Sequence, residues 1–133
     1  MKTLIVEDDF TSRLLLQEIL KNYGAVHIAV NGKEAVNAAS AAMDTGEPYS
    51  LICLDIMMPE MNGQEALKKI RQMEAEAGIG PERRARVIMT TALADKGNVI
   101  EAIQSQCDYF LVKPIDGRAL LDELRRFGLI PQA

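Results

Sequence analysis

Five polar residues stand where short apolar runs of the chain end, and their chemistry is complementary. Glu7 and Asp8 follow the first such run, Asp55 follows the third, Thr91 ends the fourth and Lys113 follows the fifth. If the runs are parallel strands, all five residues lie at the carboxyl edge of one sheet, where open α/β sheets bind their ligands. The sequence therefore predicts a pocket that combines three carboxylates, one hydroxyl and one ammonium.

Three neighbouring carboxylates need compensation by positive charge. Two like charges about 4 Å apart repel by roughly 4 kcal/mol at an effective dielectric constant near 20. Lys113 offsets part of this repulsion, and a hard divalent cation would offset the rest. Oxygen ligands favour Mg²⁺ or Mn²⁺ over zinc. A carboxylate such as Asp55 beside that ion can act as a nucleophile and form an aspartyl phosphate, whose oxygens the metal, ammonium and hydroxyl can bind.

The elements that must position these residues alternate between apolar runs and helical periodicity. Most of the runs are solidly apolar, which is typical of parallel strands buried on both faces, and the run from Val26 to Ala29 is a weaker strand. We predict an α/β fold with a single doubly wound, five-stranded parallel sheet and helices on both faces. The predicted strands are 4–6, 26–29, 51–54, 87–89 and 109–112, and the predicted helices are 12–23, 33–43, 64–77, 96–107 and a last helix that Asp116 caps and that ends at 127.

Composition narrows the functional class. The 133 residues fit a single domain, 1–133, with a core of about 3–127, and the net charge is −4 with no basic stripe. We therefore expect no direct nucleic-acid partner. No apolar run approaches the roughly 18 residues of a membrane span, and no signal peptide is visible. Cys53 and Cys107 are expected to be reduced thiols, and the predicted location is cytoplasmic.

Four motifs, in order along the chain, carry a family resemblance. Each coincides with the end of a predicted strand, and together they extend the likeness from Leu4 to about Phe127. The sequence resembles a response-regulator receiver domain of two-component signalling, in its stand-alone, chemotaxis-regulator-like form. The motifs are Leu4-Ile5-Val6-Glu7-Asp8-Asp9, Asp55-Ile56-Met57-Met58-Pro59-Glu60-Met61-Asn62-Gly63, Thr91-Ala92 and Lys113-Pro114.

The resemblance implies a role for each matching residue and a flavodoxin-like strand order of 2-1-3-4-5. It makes Asp55 the phosphoacceptor, with Thr91 and Lys113 binding the phosphoryl group. It also implies a Mg²⁺ (or Mn²⁺) site that includes Asp55, in which Asp8 binds the ion directly and the backbone carbonyl of Met57 is a further ligand. Glu7 is implied to bind that ion mainly through water.

The same resemblance implies a switch formed by Thr91 and Phe110, the aromatic residue three positions before the conserved lysine. Phe110 lacks a hydroxyl, so we expect only the burial of its ring to report activation, with its neighbour Tyr109 on the opposite face of the strand. Met57 and Leu93 are expected to flank the path of the hydrolytic water, which predicts slow self-dephosphorylation. Gln106 stands where a glycine is common, so the geometry of that turn is open.

The resemblance implies a signalling switch rather than a metabolic enzyme, although Asp55 would carry self-phosphorylation and self-dephosphorylation chemistry. The implied partners are a histidine kinase or phosphotransfer protein and a downstream target protein. One alternative is a Mg²⁺-dependent phosphatase with an aspartyl-phosphate intermediate, but the second acid that such enzymes use is replaced by Met57 two residues after Asp55. Another alternative is a binding-only pseudo-receiver, which the complete set of acids, threonine and lysine disfavours.

Overall fold

The computed structural model describes residues 1–58, 60–92, 100–101 and 106–132. The predicted helix over 96–107 therefore lies almost entirely outside the described residues. None of the helices in these ranges is long and apolar enough to cross a bilayer. The strands are Thr3–Val6 (β1), Val26–Ala29 (β2), Leu51–Asp55 (β3), Arg86–Thr91 (β4) and Tyr109–Val112 (β5), and the helices are Phe10–Leu20 (α1), Gly32–Asp44 (α2), Gly63–Glu76 (α3) and Gly117–Arg126 (α4), with a 3₁₀ turn at Lys21–Tyr23.

The five strands form one parallel sheet in the order β2-β1-β3-β4-β5, which confirms the predicted topology. Val6 pairs with Leu54 in the register of β1 and β3. The next residue of each chain segment, Glu7 and Asp55, is therefore brought to the same height at the carboxyl edge. Asp55 in turn pairs with Thr90 of β4. The register alone thus collects the predicted site residues.

Helices cover both faces of the sheet, because successive side chains of each buried strand point to opposite sides. Leu4 and Val6 pack into one cluster with residues of α2 and α3. Ile5 packs into a second cluster with residues of α1 and α4. The two cores explain why the strands read as solid apolar runs and why each helix needs only one apolar stripe.

Each described α-helix begins at a side-chain cap. Asp9 and Asp116 cap α1 and α4, so the predicted cap at Asp116 is confirmed. The predicted start of α1 at residue 12 was wrong by two positions, because the Asp9 carboxylate accepts a hydrogen bond from the Ser12 N–H at 2.9 Å and so starts the helix at Phe10. Asn31 and Asn62 cap α2 and α3 in the same way.

A buried ionic group at the amino edge of the sheet was not predicted. The arginine network consists of Arg71, Glu74, Arg86 and Asp108. Arg71 bonds Glu74 Oε1 at 2.8 Å and Asp108 Oδ2 at 2.9 Å, and Arg86 bonds Asp108 Oδ1 at 3.2 Å. Backbone N–H groups of Ala85 and Val87 donate to the same two carboxylates. The network therefore ties α3 to the starts of β4 and β5.

The turn before β5 retains a left-handed residue even though it lacks the glycine. Gln106 has a φ of 69°, in the region that glycine adopts at least cost. Arg71 Nε donates to the Gln106 carbonyl at 3.1 Å, and Arg84 Nη1 donates to its side-chain oxygen at 2.7 Å. Two guanidinium groups thus stabilise a left-handed conformation that a glutamine side chain disfavours. The turn therefore keeps the geometry that a glycine would adopt.

Candidate phosphoryl-transfer and metal site

Three carboxylates meet at the carboxyl ends of β1 and β3. Glu7, Asp8 and Asp55 each offer an oxygen within 4.8 Å of the others. Glu7 is completely buried, Asp55 is 4% exposed and Asp8 is exposed. The group therefore reaches from the protein interior to solvent, with Asp8 at its mouth. We call these three residues together with Lys113 the acidic cluster.

Lys113 bridges the two buried carboxylates. Its Nζ lies 2.9 Å from Glu7 Oε1 and 3.2 Å from Asp55 Oδ2. The backbone N–H of Lys113 donates to the Thr91 carbonyl at 2.8 Å, which places the lysine beside the end of β4. Thr91 is fully buried at that strand end. The five residues singled out from the sequence are thus brought to one edge.

Burial and charge shift the protonation of this cluster. Desolvation raises the pKa of Glu7 from 4.5 to about 7; the Asp55 charge adds to the rise, and the hydrogen bond from Lys113 opposes it. Burial alone would lower the pKa of the Lys113 ammonium, but its hydrogen bonds and charge pairing with Glu7 and Asp55 outweigh this and raise the pKa. Lys113 is therefore cationic at neutral pH, while Glu7 titrates there.

The donor set fits a hard divalent cation. Glu7 Oε2 is buried, and no residue in the described part of the chain donates a hydrogen bond to it. A buried carboxylate oxygen without a donor is costly unless a cation or water takes that position. The three carboxylates offer only oxygen ligands, and the cluster as a whole carries an excess of negative charge; both suit Mg²⁺ or Mn²⁺.

The loop after β3 turns back over the site. The Met57 N–H donates to Asp55 Oδ1 at 3.4 Å, so the backbone of the predicted fourth ligand residue lies beside the carboxylate. The Met57 side chain is 59% exposed. Leu93, expected on the other side of the water path, lies outside the described residues.

Two glycines that were not predicted as functional residues, Gly32 and Gly63, allow the close backbone contacts that hold this loop. A Cβ at Gly63 would collide with the Asp55 carbonyl oxygen, and one at Gly32 would collide with the Met61 carbonyl oxygen. Gly32 N–H also donates to Met61 at 3.0 Å. Close backbone approach at these positions allows α2 and α3 to hold both ends of the loop. The glycine after each helix-capping asparagine was the signal that could have shown this.

The predicted switch residues lie on β4 and β5. Phe110 is half-buried and packs against the first cluster, whereas Tyr109 packs against the second. The expectation that these neighbours face opposite sides of the sheet is confirmed. Phe110 is therefore on the side of the sheet covered by α2 and α3.

Comparison with known proteins is consistent with this geometry. Residues 3–125 match the family described as "Response regulator receiver domain". The chain is 35% identical over 126 residues to the chemotaxis protein CheY of Bacillus subtilis, covering 94% of this chain and 95% of that protein. Among solved structures, it resembles the CheX–CheY–BeF3–Mg complex from Borrelia burgdorferi, with a TM-score of 0.81, 27% identity and coverage of 96% and 89%. It also resembles the receiver domain of Ssk1 in a co-crystal structure with the Saccharomyces cerevisiae histidine phosphotransfer protein Ypd1. The TM-score is 0.81 and the identity 30%, with coverage of 96% of this chain and 88% of that chain.

Proposed function

The chain belongs to the response regulator receiver domain family, and from this premise we propose that Asp55 accepts a phosphoryl group and thereby switches a protein-binding surface. The observation that carries the proposal is the environment of Asp55. Its carboxylate is buried, accepts from Lys113 and from the Met57 N–H, and lies within 4.8 Å of two further acids. A carboxylate held in this way is fixed in orientation and surrounded by donors for phosphoryl oxygens.

The transfer step we propose is an in-line displacement. An Asp55 carboxylate oxygen attacks the phosphorus of a phosphohistidine, the new O–P bond forms, and the P–N bond to the imidazole breaks. The departing imidazole nitrogen takes up a proton. The Lys113 ammonium and the Thr91 hydroxyl then bind phosphoryl oxygens, which spreads the added negative charge over fixed donors.

The metal belongs to the same proposal. Glu7, Asp8, Asp55 and the backbone carbonyl of Met57 would hold Mg²⁺ or Mn²⁺, with Glu7 acting mainly through water. The bound ion supplies positive charge against the phosphoryl oxygens and the carboxylates. The residues of the chain itself keep the nucleophile oriented and, through the apolar Met57 side chain and Leu93, offer no hydrogen bond to a hydrolytic water. We therefore propose a long-lived phosphorylated state.

Partner proteins are proposed on two surfaces. Phe10 and Met57 are 64% and 59% exposed, and each lies two residues from an acid of the cluster. Exposed apolar side chains at the mouth of a charged site favour contact with a protein surface, here that of a histidine kinase or phosphotransfer protein. The output surface we propose comprises residues 96–107, β5 and α4, which Thr91 and Phe110 would reposition and which a downstream target protein would read.

We also propose that the protein resides in the cytoplasm. Cys53 and Cys107 are both free thiols, which suits a reducing compartment. Neither alternative function finds a specific supporting observation at the site.

The test is phosphorylation by acetyl phosphate with Mg²⁺, followed by intact-mass measurement. The native protein should gain one phosphoryl group, and Asp55→Asn should gain none, because an amide is not a competent nucleophile. The matched control is Asp9→Asn, which changes an exposed helix cap near the site and should label normally. Full labelling of Asp55→Asn would contradict the assignment.

A further inference from the structure

A cleft opens at the amino edge of the sheet, at the opposite end from the acidic cluster. It has a volume of about 280 Å³ and lies between the α2–β3 connection, the α3–β4 connection and the segment that follows α4. The α3–β4 connection, residues 77–85, contributes one wall of this cleft. Its lining includes Glu82, Arg83, Arg84, Arg86, Phe127 and Leu129.

The cleft is locally basic in an acidic protein. Three arginines and one glutamate line it, a formal charge of +2, whereas the whole chain carries −4. Arg83 is exposed and Arg84 is half-buried. Because Arg86 pairs with Asp108, the positive charge available to a ligand rests on Arg83 and Arg84, and Glu82 offsets part of it, which leaves a net +1.

The guanidinium groups of Arg84 and Arg86 are each held in place by a neutral group. Arg84 Nη1 donates to the neutral side-chain oxygen of Gln106 at 2.7 Å. The Arg86 guanidinium lies 5.1 Å from the centre of the Phe127 ring, in cation–π geometry. Fixed donors lose little conformational entropy on binding an anion, so Arg84 is positioned before a ligand arrives.

We propose that this cleft binds an acidic segment of a protein partner, with a carboxylate side chain on Arg83 and Arg84 and an apolar side chain against Phe127 and Leu129. Arginine binds carboxylates through paired N–H donors, and the apolar wall fits a segment that mixes acidic and apolar residues. Polyanions such as RNA or an anionic membrane are disfavoured, since their extended charge would face a chain of net charge −4.

The position of the cleft sets its relation to phosphorylation. β4 begins at Arg86 beside the cleft and ends at Thr91 beside the acidic cluster, a separation of roughly 17 Å along the strand. A partner bound in the cleft would leave Asp55 accessible to its phosphodonor. The binding we propose needs neither the phosphoryl group nor the metal, and it stands or falls separately from the proposed function.

The experiment is a fluorescence anisotropy titration of the full chain with a labelled synthetic peptide that alternates glutamate with leucine and phenylalanine. Saturable binding is expected, and Arg83→Glu with Arg84→Glu should weaken it by at least about tenfold. Arg83→Glu alone, at an exposed position, should weaken it measurably without disturbing the fold. Asp55→Asn should bind like the native protein. In NMR spectra, the peptide should shift backbone signals of the cleft residues.

The matched control is Lys33→Glu with Lys69→Glu, which changes the net charge equally at two exposed positions outside the cleft and should leave the affinity within about twofold. Equal loss in this control would overturn the proposal, because net charge alone would then govern binding. The absence of saturable peptide binding would also overturn it. So would tighter binding of a uridine oligonucleotide or of phosphatidylglycerol vesicles than of the peptide.

Discussion

Two largely buried groups of charged residues, the arginine network and the acidic cluster, lie at opposite edges of the same sheet and differ in their balance of charge. In the arginine network, two guanidinium groups meet two carboxylates. In the acidic cluster, three carboxylates meet one ammonium among the described residues. The first group is neutral and the second carries an excess of negative charge, so the first can hold the fold together while the second needs a further cation.

Hydrogen bonding sharpens the contrast. Both oxygens of Glu74 accept at 2.8 Å, one from Arg71 and one from the Ala85 N–H. Glu7 is as deeply buried, yet its Oε2 has no donor in the described part of the chain. A satisfied buried carboxylate costs little to maintain, whereas an unsatisfied one stores a tendency to bind a proton or a metal ion. Among the described residues of this protein, the buried carboxylate whose hydrogen bonds are unsatisfied is therefore the one at the binding site.

The largest expected effect concerns the arginine network. Arg71→Met should destabilise the protein by about 3–5 kcal/mol, because it leaves Glu74 and Asp108 buried without their shared cation. Urea unfolding at pH 7 measures this. The matched control is Lys68→Met on the same helix, whose exposed pair with Glu101 should contribute less than about 1 kcal/mol. If both variants lost the same small amount of stability, the result would contradict a structural role for the arginine network.

A second prediction concerns the acidic cluster and the pH dependence of the protein's stability. The raised pKa of Glu7 means that the fold favours the protonated acid, so this contribution is fully present below pH 4.5 and is lost as pH rises through about 7. Native protein in chelator should lose up to about 3 kcal/mol relative to Glu7→Gln between pH 4.5 and 8. Urea unfolding across this range tests it, and saturating Mg²⁺ at pH 8 should restore stability to the native protein. Parallel curves for the two proteins would contradict the prediction.

The smallest expected effect comes from neutralising one carboxylate at each edge of the sheet, which should change the free energy of unfolding in opposite directions. At pH 8 without metal, Asp55→Asn should stabilise the fold by about 1 kcal/mol, because relieved repulsion exceeds the weakened bond to Lys113. Glu74→Gln should instead destabilise the fold, since it removes the charge that Arg71 needs. Thermal unfolding of both variants measures this. If both changes destabilised the protein, the acidic cluster would not be under electrostatic repulsion.

Much of the fold was predictable because its signals are local. The strand spans Val26–Ala29 and Tyr109–Val112 agree with their predicted ranges, although only the second is a continuous apolar run and the first contains His27. Helix ends were less accurate, as α1 shows: the cap at Asp9 starts the helix earlier, and its last predicted turn is a 3₁₀ turn. Which of several polar residues caps a helix depends on backbone geometry that periodicity does not contain.

The sequence by itself determined the βα alternation and, from the order of strand ends, the gathering of Glu7, Asp8, Asp55, Thr91 and Lys113 at one edge. Parallel strands leave no other place for these residues, so no distance information was needed.

Only the tertiary structure decided the arginine network, the conformation of Gln106 and the basic cleft. Arg71 and Asp108 are 37 positions apart and meet because α3 crosses the starts of β4 and β5. Such contacts depend on how helices pack on the sheet, which a one-dimensional pattern does not encode. The same holds for the Glu7 pKa, because desolvation is set by what surrounds a carboxylate rather than by its neighbours in sequence.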